Sequence, residues 1–346
     1  MLRQKLPGLL RAAEQGVLKK IIRIPRSDTP EAMVLGMKPG LVEMAQGPLT
    51  VSALGADPPA RSTHFHLSPM SVVDGMLRQH ETDLPAEQVD LVMSLASKLN
   101  TKTLTVVPGE GFDHGLVWEG VGDLGTTPPN LASGKPVSES LPEGDNEVAL
   151  RRFVDDSVNI LSELEFNVQR VDEGLLPINI LWPWGHGVRI PLPNLALQRG
   201  EPVRVFSPSL RLAGLTRLVG YKHGDRRIFG TDLNTPWNHL RDEALNTRLS
   251  IIWSPAFSRF RQLEMLEEAG WLTKRIDEEF IAPLLDIEEP LRLSIIAPSA
   301  ERNGLAVIWE VGMESQNHLP FDERSMDEPL TSMNLHELVL ESIAPR

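Results

Sequence analysis

Five nearly uninterrupted apolar runs, INILW (178–182), VRVFS (203–207), LSIIWS (249–254), LRLSIIA (291–297) and LAVIWEV (305–311), constrain this chain more than any other feature. A strand with one wet face alternates apolar and polar residues, whereas a strand apolar at every position must be covered on both faces. Helical or polar segments separate the last four runs. The longest helical pattern, Phe260 to Leu285, joins LSIIW to LSIIA as a strand–helix–strand unit. These runs predict an α/β fold with a mostly parallel sheet flanked by helices.

The N-terminal half has a different texture. Residues 1–20 carry Leu6, Leu9, Leu10, Ala13 and Val17 at helical spacing, with a stop near Gly16. A short strand, Ile21–Ile24, leads into the turn Pro25-Arg26-Ser27-Asp28, and a further helix can open at Thr29. From about Pro58 to Glu165, short runs such as HFHLS, SVVDG, TLTVVPG and FDHGLVWEG are broken by Gly and Pro. One helix, Pro85 to Leu99, lies among them, and another spans about Asn146 to Leu164. The stretch 120–144 reads as a long irregular loop. The expected division is a core domain from 1–60 and 166–346, with an α+β subdomain inserted at 61–165. Residues 314–346 read as a polar loop followed by an amphipathic helix.

Charge and composition narrow the function classes. The net charge is −13, which argues against nucleic acid or an anionic membrane as a partner. There is no cysteine, so neither a disulfide framework nor a thiolate metal site can form. The N-terminus has charges within its apolar stretch and does not read as a signal peptide, and no run of 18 apolar residues occurs. A soluble, cytoplasmic protein is the expectation.

The segment NVQRVDEGLLPINILWPWGHG (167–187) resembles the signature of the archaeal-type, cofactor-independent phosphoglycerate mutases of the alkaline phosphatase superfamily. RSDTPEAMVLGMKP resembles that family's nucleophile turn, and the resemblance places Ser27 on the phosphorylated serine. GPLTVSALGA, FDHGLVWEG, DLGTTPPNLASGKPVSESLPEG and LAGLTRLVGY continue the likeness. The resemblance implies phosphoryl transfer through a serine nucleophile and two divalent metal ions, Mn or Mg.

Departures from the pattern fall on the residues that chemistry uses. Asp113 stands for an arginine, Asn130 and Leu131 for a His-Asp pair, and Ala213 for a lysine. Phe257 and Arg261 occupy positions of an Asp-Glu-Ala-Gly-His metal motif, and Ser299 and Ala300 replace a second Asp-His pair. No Asp precedes Ser27, where the family has a strand carrying Asp-Gly-x-Gly-Asp. Two clustered divalent ions need anionic and neutral donors around them. The expectation is thus a chain without the di-metal centre and without a cofactor, serving as a binding or scaffolding module. The alternative is an active mutase or related phosphotransferase with Ser27 as nucleophile; a third reading is metal-free chemistry around Ser27, His114 and His186.

For a residual small-anion or sugar-phosphate site the candidates are His114, His186, Arg189 and Arg217, with Arg226 and Arg227 as further sources of charge. The bland alternatives are equally concrete. Ser-Asp-Thr is an ordinary helix cap. His64 and His66 share one strand face, as packing, a solvated surface or two ligands short of a third. Trp182 and Trp184 read as core and cleft-wall packing. Phe257, Arg261, Ser299 and Ala300 are expected at the C-terminal ends of neighbouring parallel strands, facing Ser27.

Overall fold

The computed structural model describes residues 6–15, 17–24, 29–38, 44–229, 232–297, 304–311, 331–333 and 337. The chain divides into two compact units: Met1–Val42 with Asn194–Ser209 and Gly220–Arg346, and Glu43–Pro193 with Leu210–Val219. Among the described residues no helix is long and apolar enough to cross a membrane.

The first unit holds strands β1 (Val17–Ile24), β9 (Val203–Phe206), β10 (Lys222–His223), β11 (Leu249–Ile252), β12 (Leu291–Ala297), β13 (Gly304–Val311) and β14 (Thr331–Ser332). The mixed α/β class is as expected, but parallel pairing is limited. β9 pairs β10 and β11 in parallel, and β1 pairs β14 in parallel. β13 runs antiparallel to both β12 and β1. The reason is connection length. Residues 298–303 alone join β12 to β13, and a parallel crossover needs a dozen residues or more. LRLSIIA and LAVIWEV therefore pair as neighbours, with Leu291 opposite Val311 and Ala297 opposite Leu305. The expected strand Ile21–Ile24 is the C-terminal half of β1.

Beside the parallel strands a core of Phe206, Phe229, Trp237, Leu240, Phe260 and Leu272 is buried. The single helix expected over 260–285 is interrupted. Helix Ala256–Gln262 is followed by its cap Leu263 and then by Glu264, whose φ is +56°, and helix Leu266–Ile276 runs into a wider π turn, Asp277–Ile281. Pro283 accounts for that turn, because it has no N–H and its ring collides with the carbonyl four residues back in a regular helix. That carbonyl, of Glu279, instead accepts from Arg241 Nη1 at 3.1 Å. Helix Pro7–Gln15 docks here: buried Asp277 accepts from the amides of Gly8 (2.7 Å) and Leu9 (2.5 Å). Two of the orphan donors of that helix are thereby satisfied.

The second unit is an antiparallel sheet of β2 (Thr63–Val73), β3 (Met76–Arg78), β4 (Leu104–Glu110), β5 (Asp113–Trp118) and β8 (Ile180–Gly187), with a small pair β6 (Leu124–Gly125) and β7 (Glu143–Gly144). The run INILW was expected among the parallel strands. It lies antiparallel beside β2, with Ile180 opposite Met70 and Trp184 opposite His66. This unit is accordingly wider than the expected 61–165 segment. β2 sits between β5 and β8 and is buried from Thr63 to Ser71, so both its faces are covered. Phe65 and Leu67 pack into a core with Val92, Leu116, Leu150 and Phe153. Helix Glu147–Leu161 buries Leu150, Phe153, Val154, Ser157 and Leu161, a single stripe at 3.6-residue period. Towards the other face, Gly47 and Gly214 let helices Gln46–Ala53 and Leu210–Leu218 come close. An added Cβ would lie 2.2 Å from the carbonyl oxygen of His64 at Gly47, and 2.2 Å from that of Leu49 at Gly214.

Candidate functional site

Each expected site residue has a definite place, except three. Ser27, Ser299 and Ala300 lie outside the described residues. Helix Pro30–Val34 forms near the expected start at Thr29, and Glu31 in its first turn accepts from Ser209 Oγ at 2.9 Å. Phe257 and Arg261 are exposed on helix Ala256–Gln262, which follows β11. The strand preceding Ser299 is β12, which pairs with β13 and not with β11, so the expected neighbouring parallel strands are not formed.

His114 is not available to a ligand. Its side chain has no exposed surface, Gly109 N–H donates to Nδ1 at 2.9 Å, and Nε2 bonds the Gly111 carbonyl at 2.8 Å. These partners fix the neutral Nε2–H tautomer. Burial holds its pKa down to about 4. The turn between β4 and β5 folds round the ring, which is why a residue that the resemblance put at a cleft became an internal peg.

The His64–His66 pair shares a face, as expected, and that face is packing. His66 Nδ1 meets Thr50 Oγ1 at 2.8 Å, its Nε2 bonds the Phe112 carbonyl at 2.9 Å, and its ring packs at a tilt against Trp184 with centroids 4.8 Å apart. His64 Nε2 meets Ser62 Oγ at 2.8 Å, while Ser62 donates to the Pro59 carbonyl. Ser62 is thus an acceptor for the ring, and His64 Nδ1 is buried with no hydrogen-bond partner among the described residues. Burial first, and the positive charge of Arg189 second, lower the His64 pKa to about 4. His186 is half-buried near the end of β8, with Nδ1 on Thr126 Oγ1 at 2.9 Å, and burial lowers its pKa. Trp182 is buried and its Nε1 donates to the Thr127 carbonyl; Trp184 donates to Ser68 Oγ.

Arg189 and Arg217 do converge. They line one cleft of about 340 Å³ in the second unit, with Ser52, Asp57, Ile190 and Leu218. Arg189 Nη1 donates to Asp57 Oδ1 at 2.9 Å, and Arg217 Nη2 donates to the Gly55 carbonyl at 2.9 Å. His114 and His186 are not among the residues lining that cleft. Arg226 and Arg227 belong to the other unit, where Arg227 forms a bidentate pair with Asp225 and Arg226 donates to the Pro208 carbonyl. Sequence reasoning missed Asp57. Its signal was the turn-forming run Leu-Gly-Ala-Asp-Pro-Pro, in which Gly55 takes φ +85°.

Among the described residues, no group of three or more His, Asp or Glu side chains is placed to hold a metal ion.

Comparison with known proteins agrees with this architecture. A sequence profile described as 2,3-bisphosphoglycerate-independent phosphoglycerate mutase matches residues 10–167. The mutase of that name from Methanothrix thermoacetophila is 25% identical over 215 residues, covering 62% of this chain but only 53% of the relative. The match thus spans about half the length of that relative. The one from Methanosarcina mazei is 25% identical over 335 residues, covering 87% of this chain and 82% of the relative. The solved cofactor-independent phosphoglycerate mutase of Thermoplasma acidophilum superposes with a TM-score of 0.58 at 19% identity, covering 98% of this chain and 92% of that one. A Pyrococcus horikoshii protein of known structure gives 0.61 at 16%, covering 99% and 91%. At such identities the two structures speak for the fold alone. The profile match and the sequence relatives agree in pointing to 2,3-bisphosphoglycerate-independent phosphoglycerate mutases as the proteins this chain is similar to.

Proposed function

We propose that this chain is a phosphoglycerate-mutase-like protein without the di-metal centre, acting as a binding or scaffolding module. One observation carries the reading. At the positions after β11 where the family pattern has metal ligands, the chain presents the Phe257 ring and the Arg261 guanidinium on an exposed helix face. A phenyl ring offers no lone pair, and a guanidinium repels a cation while having no acceptor of its own. The engagement of the His66 and His114 rings in bonds to hydroxyl and backbone groups supports the same reading.

The likeness to phosphoglycerate mutases favours a second reading, an active mutase or related phosphotransferase converting 3-phosphoglycerate to 2-phosphoglycerate. Its residues would be Ser27 as nucleophile and donors for two Mn or Mg ions drawn from outside the described residues. Metal analysis of the purified full chain, with a mutase assay in added Mn²⁺ or Mg²⁺, separates the two. The proposal expects no stoichiometric divalent metal and turnover at background. Robust turnover that disappears in Ser27→Ala would overturn it.

A further inference from the structure

We infer that the Arg189–Arg217 cleft of the second unit is a binding site for a small organic anion headed by a phosphate or carboxylate, with Asp57 as its internal competitor. Arg217 carries the argument. Its guanidinium has five N–H donors, of which one bonds the Gly55 carbonyl, and no carboxylate pairs with it among the described residues. Gly55 makes that placement possible. Its φ of +85° turns the backbone, and a Cβ there would lie 3.2 Å from Arg217 Nη1.

Arg189 stands in the same cleft, where Asp57 is its hydrogen-bond partner among the described residues. That pair is exposed, with 47% of the arginine and 80% of the aspartate side chain accessible. Exposed pairs of this kind contribute little and exchange readily. The cleft thus sets two guanidinium groups against one carboxylate, a local positive excess in a chain of net charge −13. Planar guanidinium forks match both carboxylate and phosphate oxygens. Ser52 contributes a hydroxyl, and Ile190, Leu192 and Leu218 give an apolar wall for a short carbon body. A volume of about 340 Å³ fits a metabolite-sized ligand.

A purely structural reading has Arg217 capping the end of helix Gln46–Ala53 and Arg189 closing a loop onto Asp57. The two readings differ on Asp57. A structural pair is weakened by its loss, whereas a binding site is opened by it.

The inference deepens the reading of the chain as a binding module and rests on it. The test is NMR titration of the full chain with inorganic phosphate, glycerol 3-phosphate and succinate. Saturable, salt-sensitive binding of at least one probe is expected. Arg189→Gln and Arg217→Gln should each weaken it about tenfold or more, the cost of losing a charge-assisted contact. Asp57→Asn should tighten it several-fold. Phosphate probes alone or succinate alone would assign the head group. No saturation up to on the order of 10 mM, unchanged affinity in both arginine variants, or weaker binding in Asp57→Asn would overturn the inference. Circular dichroism of each variant confirms folding, which the exposure of all three side chains favours. Absence of binding in a metal-free, inactive protein would remove the site and keep the non-catalytic reading; binding together with mutase turnover would do the reverse.

Discussion

His114→Gln should make the protein less sensitive to acid, and the size of the effect follows from the geometry. In the fold the ring is neutral, because Gly109 N–H points at Nδ1 and the side chain is wholly buried. Protonating Nδ1 would set two donors against each other and bury a charge. With a folded pKa of about 4 against the ordinary 6.5, the unfolded chain binds the extra proton first. The ring imposes no acid penalty above pH 6.5. As pH falls below that value stability is lost, and the loss levels off once the folded pKa is passed. At pH 5 the unfolded state is favoured about thirtyfold by this ring, or about 2 kcal/mol. Glutamine keeps a donor for Gly111 and loses the acceptor for Gly109, so the variant should be about 1 kcal/mol less stable at neutral pH. Between pH 7.5 and pH 5 it should lose about 2 kcal/mol less than the wild type. Urea denaturation of both proteins at the two pH values gives the difference of differences. An identical loss in both would refute the assignment of His114 as a buried neutral ring, and would reopen it as a titrating site residue.

Three further outcomes are expected. Gly214→Ala should destabilise by about 2 kcal/mol or more, although helix propensity alone favours alanine, because the new Cβ would lie 2.2 Å from the Leu49 carbonyl oxygen; thermal melts read the sign. Asp277→Ala should strand the Gly8 and Leu9 amides and cost about 1–3 kcal/mol, with faster hydrogen exchange at those two amides as the local signature. Arg189→Gln should raise the His64 pKa from about 4, since it removes a neighbouring positive charge; the rise should be partial, because burial is the larger cause, and histidine NMR titration measures it.

Strand positions were legible in this sequence because apolar runs mark burial directly, and each of the five long apolar runs holds a strand. Their partners were not, because periodicity says nothing about direction. For β12 and β13 the missing information was on the page as a number of residues: the linker 298–303 is too short for anything but antiparallel return. For β8 no such count existed. Its place beside β2 is an edge-to-edge pairing of strands more than a hundred residues apart, such as Met70 with Ile180, which no local pattern encodes. The break in the long helix was written in Pro283, yet the rescue of the Glu279 carbonyl by Arg241 joins residues 38 apart and could not be read locally.

The candidate site divides along the same line. Resemblance located His114 in a turn but could not say that the turn closes over the ring, since that depends on Gly109 and Gly111 presenting backbone groups to both nitrogens. Arg189 and Arg217 are far apart in sequence and meet because helix Leu210–Leu218 packs tightly on Gln46–Ala53 through Gly214. This has a consequence for metal chemistry. A histidine ligates through a lone pair, and here that of His114 is directed at the Gly109 amide. At His66, Nε2 faces the Phe112 carbonyl, so it is the donor, and the Nδ1 lone pair meets the Thr50 hydroxyl. Turning either ring towards a metal would break two internal hydrogen bonds and leave buried partners unsatisfied, at about 1–3 kcal/mol for each stranded group. A metal ion that recruited either imidazole would have to offset that cost.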